Sequence, residues 1–109
     1  MKYTIFIAKK AEEDLGEIFE YLAYKVMAGE NAVRQLNRIQ TAIESLDEMP
    51  LRNRVYDKEP WKTRNLRIMP VDNYLVFYLT ETDLLKVTIL RIMYGGRDIT
   101  NIFNEKIES

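Results

Sequence analysis

Residues 3–7 place Tyr3, Ile5 and Ile7 on one side and Thr4, Phe6 and Ala8 on the other, the two-residue period of a short strand with both faces partly buried. The period then lengthens. Ala11, Leu15, Ile18, Phe19, Leu22 and Val26 recur at helical spacing, opposed by Glu12, Glu13, Asp14, Glu17 and Glu20, with Lys25 near the end and Gly29 as the expected stop. The acids sit in the first turns, where a helix dipole favours them. A second helix is predicted from Glu30 to Asp47, on the four-three stepping of Ala32, Leu36, Ile39, Ile43 and Leu46. Pro50 closes the helical half, and residues 50–61 read as a charged loop.

From Lys62 the pattern becomes that of strands. Thr63–Met69 puts Arg64, Leu66 and Ile68 on one face and Asn65, Arg67 and Met69 on the other; residues 70–73 carry turn chemistry. Tyr74–Leu79 is apolar on both faces, which suits a central strand, and residues 80–83 turn the chain. Leu84–Tyr94 is the longest strand, with Leu85, Val87, Ile89, Arg91 and Met93 facing one way, and Gly95-Gly96 ends it. Asp98–Ile107 is read as a short, polar final helix. The order β-α-α-β-β-β-(α) predicts an α+β domain. Three sequential strands form an antiparallel meander, the N-terminal strand joins the same sheet, and the helical hairpin covers one face and leaves the other open.

The 109 residues fit one domain spanning 1–109, and the 47% apolar content supports an ordinary core. The chain has no cysteine and no histidine. Disulfides, thiolate metal sites, zinc hydrolysis and His-based triads are thereby excluded, and neither a metal nor a cofactor is expected. No apolar run approaches the roughly 20 residues of a membrane span, and the N-terminal stretch is too short for a signal-peptide core, so a cytoplasmic protein is the default reading.

Net charge is −1, but its distribution is uneven: −3 over residues 1–50, +4 over 51–97 and −2 over 98–109. Several cations are expected near the open sheet face: Lys62, Arg64 and Arg67 beside the second strand, Arg91 on the last, and Arg97 just past its end. Tyr74, Tyr78 and Tyr94 add aromatic hydroxyls. Cations interleaved with aromatics can bind nucleic acid, or equally an acidic protein segment. The plainer alternatives are that Arg91 is a paired structural ion and that Tyr74 and Tyr78 are core residues with satisfied hydroxyls. Trp61 reads as packing or a loop anchor.

Two stretches carry a resemblance. Arg64-Asn65-Leu66-Arg67 followed by Asn73-Tyr74-Leu75-Val76-Phe77-Tyr78 resembles the paired middle strands of RelE/ParE-family toxins. Val87–Asp98, ending Tyr94-Gly95-Gly96-Arg97-Asp98, resembles that family's closing strand. The acidic first helix, beginning Ala11-Glu12-Glu13-Asp14-Leu15, also fits. The resemblance implies a helical hairpin on a curved sheet and a type II toxin neutralised by a cognate antitoxin. It implies one of two targets: messenger RNA on the ribosome, cut through its own 2′-hydroxyl without metal, or DNA gyrase, blocked without catalysis. A non-toxic module that only co-represses with its partner is the alternative from another class.

As a nuclease, Arg64, Arg67 and Arg97 would stabilise the phosphate, and Tyr74 or Tyr94 would move the proton. As an inhibitor, the same groups would be contacts, with Lys62, Arg91, Arg97 and Tyr78 facing antitoxin or target. Two positions depart from the RelE-like pattern: the third-strand arginine falls near Asn73–Tyr74, and the C-terminal tyrosine falls on Phe103, which cannot exchange a proton. These departures, with no histidine to substitute, favour the ParE-like reading. The positive balance of residues 51–97 implies that the antitoxin brings carboxylates.

Overall fold

A computed structural model of the chain describes residues 2–26 and 29–95. Strand β1 (Thr4–Ile7) leads directly into helix α1 (Lys9–Tyr21), whose last turn widens into a π-helical segment at Leu22–Val26. Helix α2 (Gly29–Glu44) follows and tightens into a 3-10 turn at Ser45–Asp47. Gly29 therefore opens the second helix rather than stopping the first. After a second 3-10 turn at Pro50–Arg52 come β2 (Arg67–Val71), β3 (Tyr74–Glu81) and β4 (Lys86–Tyr94). The final helix predicted over Asp98–Ile107 lies outside the described residues.

The four strands form one sheet in the order β1-β4-β3-β2. The meander β2-β3-β4 is antiparallel, and β1 lies parallel to β4, with Thr4 opposite Lys86 and Ile7 opposite Ile89. Both helices pack on one face. Ala11, Ile39, Ile43 and Leu46 are buried against Met69, Tyr74, Val76, Tyr78, Val87, Ile89 and Ile92, with Leu15, Ile18 and Leu36 beside them.

Three differences from the sequence reading have identifiable causes. First, β2 starts at Arg67 rather than Thr63, because Asn65 adopts a left-handed φ of 60° and residues 61–65 form a turn. Pro70 and Val71, expected in the next turn, belong to the strand. Pro70 pairs with Leu75 on the outermost strand, a position that needs no donor from proline. The turn is only Asp72-Asn73, with Asp72 left-handed and its carboxylate accepting from Arg38 Nε (2.8 Å) and Gln35 Nε2 (2.9 Å) of α2. Those bonds hold the Asp72 carboxyl below its ordinary range.

Second, β3 runs on to Glu81 and β4 starts at Lys86, so the turn falls at residues 82–85, with Leu85 left-handed. Phe77 lies opposite Arg91 and Tyr78 opposite Ile89, which leaves Leu90 without a partner across the ladder. This bulge breaks the strict alternation expected for β4. Val87 and Ile89 face the helices, but past the bulge it is Ile92 that joins them, while Met93 turns to the other face.

Third, the face expected to be open is covered. Val55 bridges Arg67, Tyr56 N–H donates to Leu66 O (2.7 Å) and Ile68 N–H to Arg54 O (3.0 Å), so the loop continues the sheet past β2. It then folds Tyr56, Trp61 and Leu66 onto Ile68, Phe77 and Met93 as a second core.

Candidate functional site

The described residues singled out from sequence fall into four settings. The turn at 61–65 holds Lys62 and Arg64, both exposed. The Arg64 guanidinium lies over the Trp61 ring, 5.0 Å from its centroid. Thr63 donates to the Glu59 carboxylate from its hydroxyl (2.6 Å) and its backbone N–H (3.0 Å), which holds that carboxyl low. Trp61 itself is 2% exposed, so Arg64 is presented from a rigid base.

Arg67 and Tyr78 are opposite each other on β2 and β3, beneath the 3-10 turn. Arg67 Nη1 donates to Asn53 O (2.6 Å) and Leu51 O (3.2 Å). Tyr78 is fully buried; its hydroxyl donates to Pro50 O (2.5 Å) and accepts from Asn53 Nδ2 (3.1 Å). Burial pushes the Tyr78 phenol above its ordinary pKa. Arg52 acts in the same way nearby, donating to Glu48 O (2.8 Å) and Ser45 Oγ (2.7 Å). A 3-10 turn leaves several carbonyls without internal partners, and here guanidinium and phenol groups supply them. Of the two sequence readings of Tyr78, a contact residue or a core residue with a satisfied hydroxyl, the second is the one found.

Arg91 likewise turns inward. β1 ends at Ile7, opposite Ile89, so from Leu90 on β4 has no strand on its β1 side. Asp14 of α1 fills that gap. Its carboxylate accepts from Ile92 N–H (2.9 Å), Arg91 Nε (2.7 Å) and Arg91 Nη2 (2.9 Å), and both side chains are buried. The pair is a bidentate, charge-assisted fork that also satisfies an edge amide. Of the two sequence readings of Arg91, the paired structural ion is the one found.

Tyr74 and Tyr94 meet. Their rings are edge-to-face with centroids 6.0 Å apart, Tyr74 buried and Tyr94 half exposed. They line a groove of about 600 Å³ between α1 and the paired ends of β3 and β4, together with Asp14, Glu17, Ile18, Tyr21, Leu22, Asn73, Ile92 and Met93. Burial, then the neighbouring Tyr21 and Tyr94 hydroxyls, push the Tyr74 phenol up, so it holds its proton. Arg97, two residues past Gly95, lies outside the described residues.

Sequence reasoning missed the α1 side of this groove. Asp14, Glu17, Ile18 and Tyr21 follow the i, i+3, i+4, i+7 spacing of one helix face. That signal was present, but the acids were assigned to solvent and to the dipole. Among the described residues no three metal-ligating side chains gather, and no helix is long and apolar enough to cross a membrane.

The fold, a helical pair on one face of a four-stranded sheet, is similar to that of chains in solved toxin–antitoxin systems. The chromosomal ParDE system from P. aeruginosa is similar in fold, with a TM-score of 0.69 at 17% identity over 85% of this chain and 96% of that one. So is the RelBE2 toxin–antitoxin complex from Mycobacterium tuberculosis, with a TM-score of 0.61 at 18% identity over 86% and 92%. The archaeal RelE–RelB complex from Pyrococcus horikoshii OT3 also scores 0.61, at 19% identity over 89% and 99%. No curated protein matches the chain in sequence. Residues 5–99 match the model of the ParE toxin family of type II toxin–antitoxin systems, parDE. The chain belongs to that family and is a type II toxin component.

Proposed function

We propose that the chain inhibits growth by binding its target rather than by cutting RNA, with DNA gyrase as the target, and that a cognate antitoxin holds it inactive. The observation that carries this reading is how the guanidinium groups are used. Arg91 is locked to Asp14, Arg67 is bonded to loop carbonyls, and Arg64 lies against Trp61. Phosphoryl chemistry needs cations converging with proton carriers on one phosphate. Among the described residues the tyrosine pair has carboxylates beside it instead. An inhibitor that works by contact needs no such convergence. The rival reading, RelE-like message cleavage, draws on Tyr94, whose half-exposed phenol is the accessible proton carrier beside the strand end.

Arg97 is proposed as a target contact at that strand end, with Arg64 and Lys62 as contacts on the loop. Inducible expression in the natural host tests the reading. Growth should stop on induction and recover when the neighbouring antitoxin gene is co-expressed. A folded protein that leaves growth untouched while still binding the antitoxin would mark a co-repressor module instead.

A further inference from the structure

We propose that the groove between α1 and the paired ends of β3 and β4 binds a segment of a partner protein through an arginine side chain, seated among Tyr21, Tyr74 and Tyr94 and faced by the Glu17 carboxylate. The inference stands on the groove and not on the target of growth inhibition. At about 600 Å³ the groove lies within the roughly 300–1,000 Å³ range of ligand sites, large enough for a long side chain and its flanking residues.

Its lining decides the chemistry. Ile18, Leu22 and Ile92 give it an apolar floor, and the three tyrosines supply ring faces of negative quadrupole. Among the described residues its only charged lining groups are Asp14 and Glu17, and none of the lining residues is lysine or arginine. Asp14 is spent on Arg91 and the Ile92 amide, whereas Glu17, one turn further along α1, is exposed and makes no ion pair among the described residues. A nucleic acid or an acidic segment would meet the Glu17 carboxylate with no compensating cation among the described residues. A purely apolar insert would leave phenol and carboxylate groups facing hydrocarbon.

A guanidinium satisfies every part of the lining at once. It stacks flat on aromatic rings, forks onto a carboxylate, and carries an aliphatic stem for the floor. The rim fits the same role. Tyr21 is 56% exposed, Tyr94 50%, and Tyr24, one turn beyond Tyr21, 81%, an accumulation of open aromatic surface that marks an interaction site. The first half of the chain, which supplies the helix wall, carries a net charge of −3.

The test titrates the full chain with a blocked peptide, acetyl-Ala-Leu-Arg-Leu-Ala-amide, and with its citrulline counterpart, which keeps the shape and loses the charge, following backbone amide shifts by NMR. Shifts should gather at residues 17–22, 73–75 and 92–95, with the arginine peptide binding about tenfold more tightly. Glu17→Gln and Tyr94→Leu should each weaken it about fivefold, the second while keeping apolar bulk at an exposed position. Equal binding of both peptides would make the groove merely apolar. Shifts elsewhere, no binding at millimolar peptide, or peptide-free shifts that vary with dilution because a second copy occupies the groove would each overturn the proposal.

Discussion

Asp14 shows how much one side chain can hold. It closes the unpaired edge of β4, fixes the helix–strand angle that forms the groove, and neutralises a buried arginine. Asp14→Ala should therefore cost about 3–5 kcal/mol in urea denaturation, since it strands a charge in the interior. The double variant Asp14→Leu/Arg91→Met should cost less than Asp14→Ala alone, because the charge leaves with its partner; a double variant at least as unstable would contradict this. Tyr74 and Tyr78 make a second prediction. Both phenols are raised by burial, so the folded chain keeps protons that an unfolded tyrosine releases near pH ~10. Their contribution is complete below that pH and is lost as pH rises through the folded values. Urea midpoints measured across the alkaline range should fall, and Tyr78→Phe should fall less steeply. That variant also starts lower, by about 1–3 kcal/mol, because Pro50 O loses its donor.

At the scale of elements, the loop 53–66 does what the sequence assigned to nothing: it closes the second face of the sheet. Trp61→Ala should cost about 3–5 kcal/mol, as large aromatic truncations in a core do, and should raise amide exchange in residues 66–68 before the helices. Uniform exchange across the chain would argue against a separable second core. The strands and helices were readable because their periods are long and regular. The misreadings came from single-residue events that periodicity does not record. Asn65 turns left-handed and moves Arg64 off the strand, and Leu90 bulges and reverses the facing of Met93. Arg67 and Arg91 carry charge on apolar strands, which sequence cannot divide between surface and interior. Only the positions of Asn53 and Asp14 decide it, and both are distant along the chain. Tyr74 and Tyr94 were each legible in the sequence as candidate groups; their contact and the acidic helical wall beside them were not.

For the molecule as a whole, the positive balance of residues 51–97 is largely invested in its own architecture, since Arg52, Arg67 and Arg91 serve loop carbonyls and Asp14. On the proposed reading, inhibition by contact falls to Arg97, three residues after Tyr94, and to Lys62 and Arg64 on the loop. Arg97→Ala should reduce toxicity strongly but weaken antitoxin binding only about tenfold, the worth of one charge-assisted bond. Titration of purified antitoxin against both forms at two salt concentrations checks this.

Inhibition without catalysis is tested most directly by giving the purified protein two substrates: gyrase with relaxed plasmid, and programmed ribosomes carrying a labelled message. Supercoiling should be blocked by the wild type and much less by Arg97→Ala, with the message intact in both. A message cut by the wild type, left whole by Arg97→Ala, and supercoiling unaffected throughout would contradict it.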